Sequence, residues 1–385
     1  MEKLAGYLMI NLEKFNCNIS AQMDNAKKYN NTKLAIGISK GLVSFVILFL
    51  FVFFGFSYNL EKFIELYIYN DYLRLIAFTL ILGIASSILF FPLDYFSEFY
   101  LEHKFNLSNQ SFGRWLWENL KEALLGAAIG LPLLIIFYFI LRTYNNYWWL
   151  PFGIIMFLFS VFLAQIFPVF ILPLFYKITA IDNEDLKNRI IELGKEANLK
   201  IENVFKFDMS KNTKKANAAF TGLGRTKRIL LGDTLLNNFS NDEIETVIAH
   251  EMGHYKKKHI VKNIIISTIL SFSSFYLIAK LYESTIKLFG FNSILEISAL
   301  PVLVLWGSII GLILTPLSNY ISRKFEYEAD EYAVKVTKKK EIFINTLNKL
   351  TEQNLGDKEP HPLIEWFFYS HPSIKNRITA LKKLN

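Results

Sequence analysis

Six apolar blocks, an excess of aromatic residues and two long polar interruptions make this chain a mostly α-helical, polytopic membrane bundle carrying a cytoplasmic α+β unit. The blocks are each about twenty residues, the length a helix needs to cross a bilayer. Aromatics are 16% of the 385 residues, with 36 phenylalanines, and only 20% are charged. That is too oily for an ordinary soluble domain. The polar interruptions lie at 176–259 and 319–385.

In chain order, residues 1–35 place Leu4, Tyr7, Leu8, Leu12, Phe15 and Ile19 at helical spacing among polar neighbours. An amphipathic helix on the membrane surface is expected there, too polar to span. No apolar core precedes a small-residue cleavage site, so no cleavable signal peptide is expected. An N-terminal membrane domain at 36–175 then holds four spans, near 36–57, 72–93, 122–142 and 150–175. The remaining unit, 176–385, holds two more spans at 260–282 and 298–318 and ends in a helical tail. The single cysteine, Cys17, excludes an internal disulfide framework and reads as a plain thiol.

Basic residues set the orientation. Lys27, Lys28, Lys33, Lys104, Arg114, Lys121, Lys214, Lys215, Lys227, Arg228, Lys256 to Lys258 and Lys338 to Lys340 share one side if the N-terminus is cytoplasmic. The loops near 58–71, 143–149 and 283–297 hold few. The positive-inside rule therefore places both polar units in the cytoplasm. It also accounts for the net charge of +8, so membrane lipid rather than nucleic acid is the expected partner.

Within the first polar unit, a helix is expected over 182–197, capped by Asp182, with Leu186, Ile190 and Leu193 on one face. Short strands are expected at 203–208, Ala218 to Thr221 and Arg228 to Leu231, with Gly222 and Gly224 turning between the last two. A second helix follows. Ser240-Asn241-Asp242-Glu243 is a capping box, and Ile244, Val247 and Ile248 continue at helical spacing. That helix carries His250-Glu251-Met252-Gly253-His254. Two imidazoles one turn apart hold a zinc ion on one helix face, and Glu251, about 100° round, is placed to take a proton from water.

Catalytic zinc takes three protein ligands. A third histidine at metzincin spacing would fall at Ile260, which excludes that class. His259, five residues past His254 on another side of the helix, reads as solvated or interfacial. Glu326 and Asp330, four residues apart just beyond the last span, share a helix face with Ala333. Ala329 and Ala333 are small enough to let that helix approach the first. Glu326 would serve as third ligand and Asp330 as acceptor for a ligand imidazole. Spacing alone narrowly favours a charged helix face for Glu326 and Asp330. Glu328 and Glu331 point elsewhere and read as solvated.

VIAHEMGH at 247–254, SRKFEYEAD at 322–330, FFYSHPSIKNR at 367–377, PLFYKIT at 173–179 and ANAAFTG at 216–222 together resemble the type I CAAX prenyl proteases. Those are integral-membrane zinc endopeptidases that trim prenylated C-terminal tails. The resemblance covers nearly all of the chain beyond about residue 40. It implies one zinc ion per chain on His250, His254 and Glu326, with Glu251 as the base and Asp330 orienting a ligand. It implies also that His371 and Arg377 line the site, either one supplying a donor to the tetrahedral oxyanion. Asn217 and Ala218 would lie on an edge strand that pairs with the substrate backbone. His361, also before a proline, reads as structural. Eukaryotic members have seven spans around a chamber, against six here. The chain ends Leu381-Lys382-Lys383-Leu384-Asn385 without an endoplasmic-reticulum retrieval signal. With its Lys, Asn, Ile and Phe usage, that points to a bacterial plasma membrane.

Three other readings stand beside tail trimming. A quality-control protease for misfolded membrane proteins keeps the fold and changes the substrate. A non-catalytic scaffold would be expected to have lost Glu251. A site-two-type intramembrane protease would bury the motif in an apolar span, but Lys256-Lys257-Lys258 follow it directly.

Overall fold

A computed structural model describes residues 2–196, 201, 204–221 and 228–384, the side chains of 2–23, 220 and 221 excepted. Among the described residues, six helical segments are long and apolar enough to cross a membrane: Asp24–Phe53, Asp71–Lys104, Phe112–Tyr147, Trp149–Phe175, His259–Phe289 and Ile297–Thr337. Their mean hydropathy runs from 1.8 to 2.6. They expose large apolar side chains outward, such as Leu42, Ile88, Leu158, Ile269 and Ile313. So much outward apolar surface is stable only where acyl chains replace water.

The N-terminal amphipathic stretch and the first span form one helix, Glu2–Phe53, rather than two elements. The second span ends in a π-helical turn at Tyr95–Tyr100, and the fourth passes through another at Phe167–Ile171, which contains Pro168. The last span does not stop at the bilayer. It runs without a break from Leu300 to Thr337, so the segment carrying Glu326 and Asp330 continues a membrane crossing.

At the bundle end away from the polar units, the short helix Phe56–Glu65 closes over the loop before the last span. Ser57 donates to the Ser298 carbonyl, and Ser298 N–H donates to Glu61 at 2.8 Å. Tyr138 and Tyr282 hydroxyls donate to the Leu295 and Ile294 carbonyls, each at 3.0 Å. Arg74 bridges Glu65 and Asp71. These bonds satisfy backbone that would otherwise be orphaned in an apolar setting.

The first polar unit folds around a four-stranded sheet of order β1-β2-β4-β3: β1 (Ile178–Ala180), β2 (Val204–Phe207), β3 (Ala218–Thr221) and β4 (Arg228–Gly232). β2 and β4 are parallel; the other two pairings are antiparallel. β1 is absent from the sequence expectation because three residues at the foot of a span carry no alternation to read. The Gly222–Gly224 turn lies outside the described residues.

The helix expected from 182 starts at Glu184. Asn183, not Asp182, supplies the cap, accepting from Leu186 N–H at 3.0 Å, while Asp182 is exposed and pairs with Lys206. Its Leu186, Ile190 and Leu193 pack with Ile229 and Leu231 of β4 and with Ile244, Ile248 and Met252 of the motif helix, Asn241–Lys256. Each such aliphatic side chain contributes roughly 1.5–3 kcal/mol on burial. The other flank of the motif helix, through Ala249, packs on Ala333, Phe343, Leu347 and Leu381. Held between two apolar clusters, this helix can carry polar chemistry on the strip left between them.

Candidate active site

The capping box forms as expected: Ser240 N–H donates to Glu243 at 2.8 Å, and Glu243 N–H donates to the Ser240 hydroxyl at 3.3 Å. This fixes the helix start and so the rotation of His250 and His254. Both rings point toward the helix Leu300–Thr337. The helices meet at Gly253, where a Cβ would lie 2.9 Å from Ala329 Cα and 3.0 Å from its carbonyl oxygen. No larger residue leaves that approach possible without a shift.

The approach closes a triangle of donor atoms. His250 Nε2 and His254 Nε2 lie 3.2 Å apart; Glu326 oxygens lie 3.5 Å from the first and 3.2 Å from the second. Ligand bonds of about 2.0–2.2 Å at tetrahedral angles place donors roughly 3.3–3.5 Å apart. Two imidazoles and a carboxylate at that spacing fit zinc and leave one direction open. Among the described residues, His250, His254 and Glu326 form the cluster of this kind. Glu326 is 5% exposed, so a solvated charged face is excluded for it.

Around the triangle, His250 Nδ1 lies 2.8 Å from Asp330. Burial alone would lower the His250 pKa, but hydrogen bonds to Asp330 and Glu326 outweigh it and hold the ring up at about 9. Arg377 lines the cavity, and two of its guanidinium nitrogens, Nε and Nη2, donate to Asp330 at 2.8 and 2.5 Å. It braces Asp330 through these two nitrogens, while Nη1 lies 3.7 Å from Glu326. Burial acts against its charge, but the charge and hydrogen bonds of Asp330 beside it outweigh burial and raise its pKa. His371 is the freer donor: its side chain is 64% exposed, its Nε2 is 3.5 Å from Glu326, and its Nδ1 is 3.0 Å from the Ser370 hydroxyl.

A cavity of about 390 Å³ joins these parts, lined by Glu251, His371 and Arg377 on one side and Asn217 and Ala218 on another. Leu235, Val247, Phe343, Leu347 and Leu350 give it an apolar wall. β3 is an outer strand of the sheet, paired only to β4 among the described strands. Gly232 places its entry: its N–H donates to Asn217 O at 2.9 Å, and a side chain there would strike Met209.

Several contributors escaped the sequence reading. Asn354 brackets the residue before Asn217, accepting from Ala216 N–H at 2.8 Å and donating to Ala216 O at 3.1 Å. One residue earlier, Lys215 bonds Glu102 at 2.9 Å and Tyr29 at 2.9 Å, tying strand entry to two membrane helices. His259 corrects an expectation: it is not solvated but 1% exposed, stacked on Phe325 with centroids 4.2 Å apart. Its Nδ1 lies 3.0 Å from His254 Nδ1, and its Nε2 lies 3.0 Å from Glu328, which thus faces the site's periphery rather than open solvent. His361 caps the helix Pro362–Phe368 through Leu363 N–H, a structural role.

A bilayer-spanning bundle that clamps this donor triangle at one face is a membrane-embedded zinc metalloendopeptidase. Residues 180–385 match the family model described as peptidase family M48, and residues 15–177 match the one described as CAAX prenyl protease N-terminal, five membrane helices. The chain belongs to peptidase family M48. It is 31% identical over 366 residues to the uncharacterized metalloprotease YhfN of Bacillus subtilis, covering 93% of this chain and 85% of that one. It is 35% identical over 324 residues to CAAX prenyl protease 1 of Saccharomyces cerevisiae, covering 78% and 70%. The crystal structure of S. mikatae Ste24p superposes with a TM-score of 0.84 at 29% identity, covering 94% of this chain and 89% of that one.

Proposed function

We propose that this protease trims prenylated C-terminal tails of peptides presented from the membrane, working on the cytoplasmic side of a bacterial plasma membrane. The observation that carries it is that one side of β3, unpaired among the described residues, enters the cavity that holds the donor triangle and has an apolar wall. An extended peptide adds to such an edge through its main chain, and an apolar wall suits aliphatic side chains. The names of the yeast relative and of the N-terminal family model support a prenylated substrate. The lysine-rich 256–258 and 338–340 segments beside the site support the cytoplasmic side. The division of labour is a membrane domain at 36–175 and a peptidase unit at 176–385.

His250, His254 and Glu326 would hold the metal, which when bound supplies Lewis acidity for activating water and polarising a carbonyl. Glu251 takes the proton from the attacking water and returns it to the leaving amine. His371 donates to the oxyanion that develops on the scissile carbonyl. Asp330, braced by Arg377, holds His250 with its Nε2 toward the metal position. Asn217 and Ala218 pair with the substrate backbone, and Asn354 keeps that strand entry in register. Cleavage rates of a farnesylated peptide and its unprenylated twin test the reading. Faster turnover of the farnesylated peptide is expected; equal rates would remove lipid recognition and favour general proteolysis of membrane proteins.

A further inference from the structure

The turn that ends the motif helix has a chemical consequence. Lys257 and Lys258 break the helix, with Lys258 in the left-handed region at φ 57° and ψ 33°. The chain folds back there, and His259, the first residue of the next helix, comes to lie against His254. An uninterrupted helix would have carried it to another side.

We propose that His259 and Glu328 form a hydrogen-bonded chain that fixes the tautomer and ring orientation of His254 for metal binding. The inference rests on the reading of His254 as a ligand. Nε2 of His254 faces the donor triangle, so as a ligand it holds no proton and Nδ1 must carry one. That Nδ1–H faces His259 Nδ1 at 3.0 Å, which must then be the acceptor. His259 is left with its proton on Nε2, which points to Glu328 at 3.0 Å. A carboxylate only accepts, so each link has one donor and one acceptor and only one arrangement of protons satisfies all of them.

The surroundings favour that arrangement. Phe325 stacks on the His259 ring at an interplanar angle of 9° and prevents it from turning. Lys262, 3.5 Å from Glu328, favours the charged acceptor. The two histidine ligands thereby have separate anchors: Asp330 for His250, and the His259–Glu328 chain for His254. Both carboxylates come from the helix that supplies Glu326. One helix therefore provides a ligand and, directly or through His259, the orientation of the other two.

The test is zinc affinity of the detergent-solubilised full chain, measured by competition with a chromophoric chelator. His259→Phe keeps the ring stacked on Phe325 but removes the acceptor, and zinc should bind about 10–100-fold more weakly. His259→Gln offers an amide oxygen to the same N–H and should recover most of the loss. Glu328→Leu should weaken binding, while Glu328→Gln, which still accepts, should not. With cobalt in place of zinc, the visible bands of His259→Phe should move, a change that loss of packing alone would not produce. His254→Ala in the same titration separates the two readings. Wild-type affinity in His259→Phe with weakened His254→Ala overturns the chain; unweakened His254→Ala overturns the metal assignment. Should His259→Phe fail to fold, equal affinities for Glu328→Leu and Glu328→Gln overturn the proposal.

Discussion

Gly253→Ala isolates what the helix crossing does for the site. The new Cβ would sit 2.9 Å from Ala329 Cα and 3.0 Å from its oxygen, whereas carbon contacts settle at about 3.5–4.0 Å. Both obstacles are backbone, so no rotamer change relieves them, and the helices must part by roughly 0.6–1 Å. Overpacking of this kind costs about 1–3 kcal/mol, while replacing a helical glycine by alanine returns about 1 kcal/mol. Net stability should therefore fall little, and the protein should still fold. The donor triangle is less forgiving. Glu326 lies one turn from Ala329 and moves with it, and metal sites tolerate only about 0.2 Å in their ligand distances. A misplacement of about 1 Å costs on the order of 100-fold in rate. The expected result is a melting temperature within a few degrees of wild type, weakened zinc retention on dialysis and a cleavage rate down about 100-fold. Adding Ala329→Gly should not rescue it, because the contact is with Cα and carbonyl rather than the methyl. Full zinc content with an unchanged rate would refute the geometry.

Other substitutions and conditions probe separate parts. Glu251→Gln should retain zinc and lose cleavage by several orders of magnitude; an active variant would remove it as the base. The raised His250 pKa gives metal uptake a definite pH sign. Below about 9 the free ring is protonated, and zinc must displace that proton, so apparent zinc affinity should fall about tenfold for each unit of acidification. Isothermal titration in buffers of different ionisation enthalpy would count the proton released; none released at pH 7 contradicts the assignment. Asn354→Ala unclamps Ala216 and should lower kcat/KM by about 10-fold while zinc content stays whole. Parallel loss of zinc would place Asn354 in the metal's support instead.

The membrane architecture was legible because acyl chains impose a long, unmistakable apolar pattern. The motif helix was legible because its start is written in Ser240 and Glu243. What the chain hides is how far an element runs and where it turns. Nothing in Leu300–Thr337 marks the bilayer's edge as a structural boundary, so one helix read as a span plus a separate segment. Lysine is a poor turn signal, so the left-handed Lys258 went unseen, and with it the return of His259 to His254. Asp182 and Asn183 are both good caps, and tertiary contacts, Asp182 with Lys206 and Asn183 with Asn241, accompany the choice between them. Arg377's commitment to Asp330 depends on the C-terminal helix packing back across the site, which no local pattern encodes.

The helix that ends in the active site begins at the far side of the bilayer. At about 1.5 Å per residue, Glu326 stands some 39 Å from Leu300 along one continuous helix that contains Pro316. A tilt of one degree about the distant end sweeps that carboxylate through about 0.7 Å, more than a metal ligand can wander. The neighbouring helices that fix the tilt of this crossing therefore also fix where the carboxylate stands.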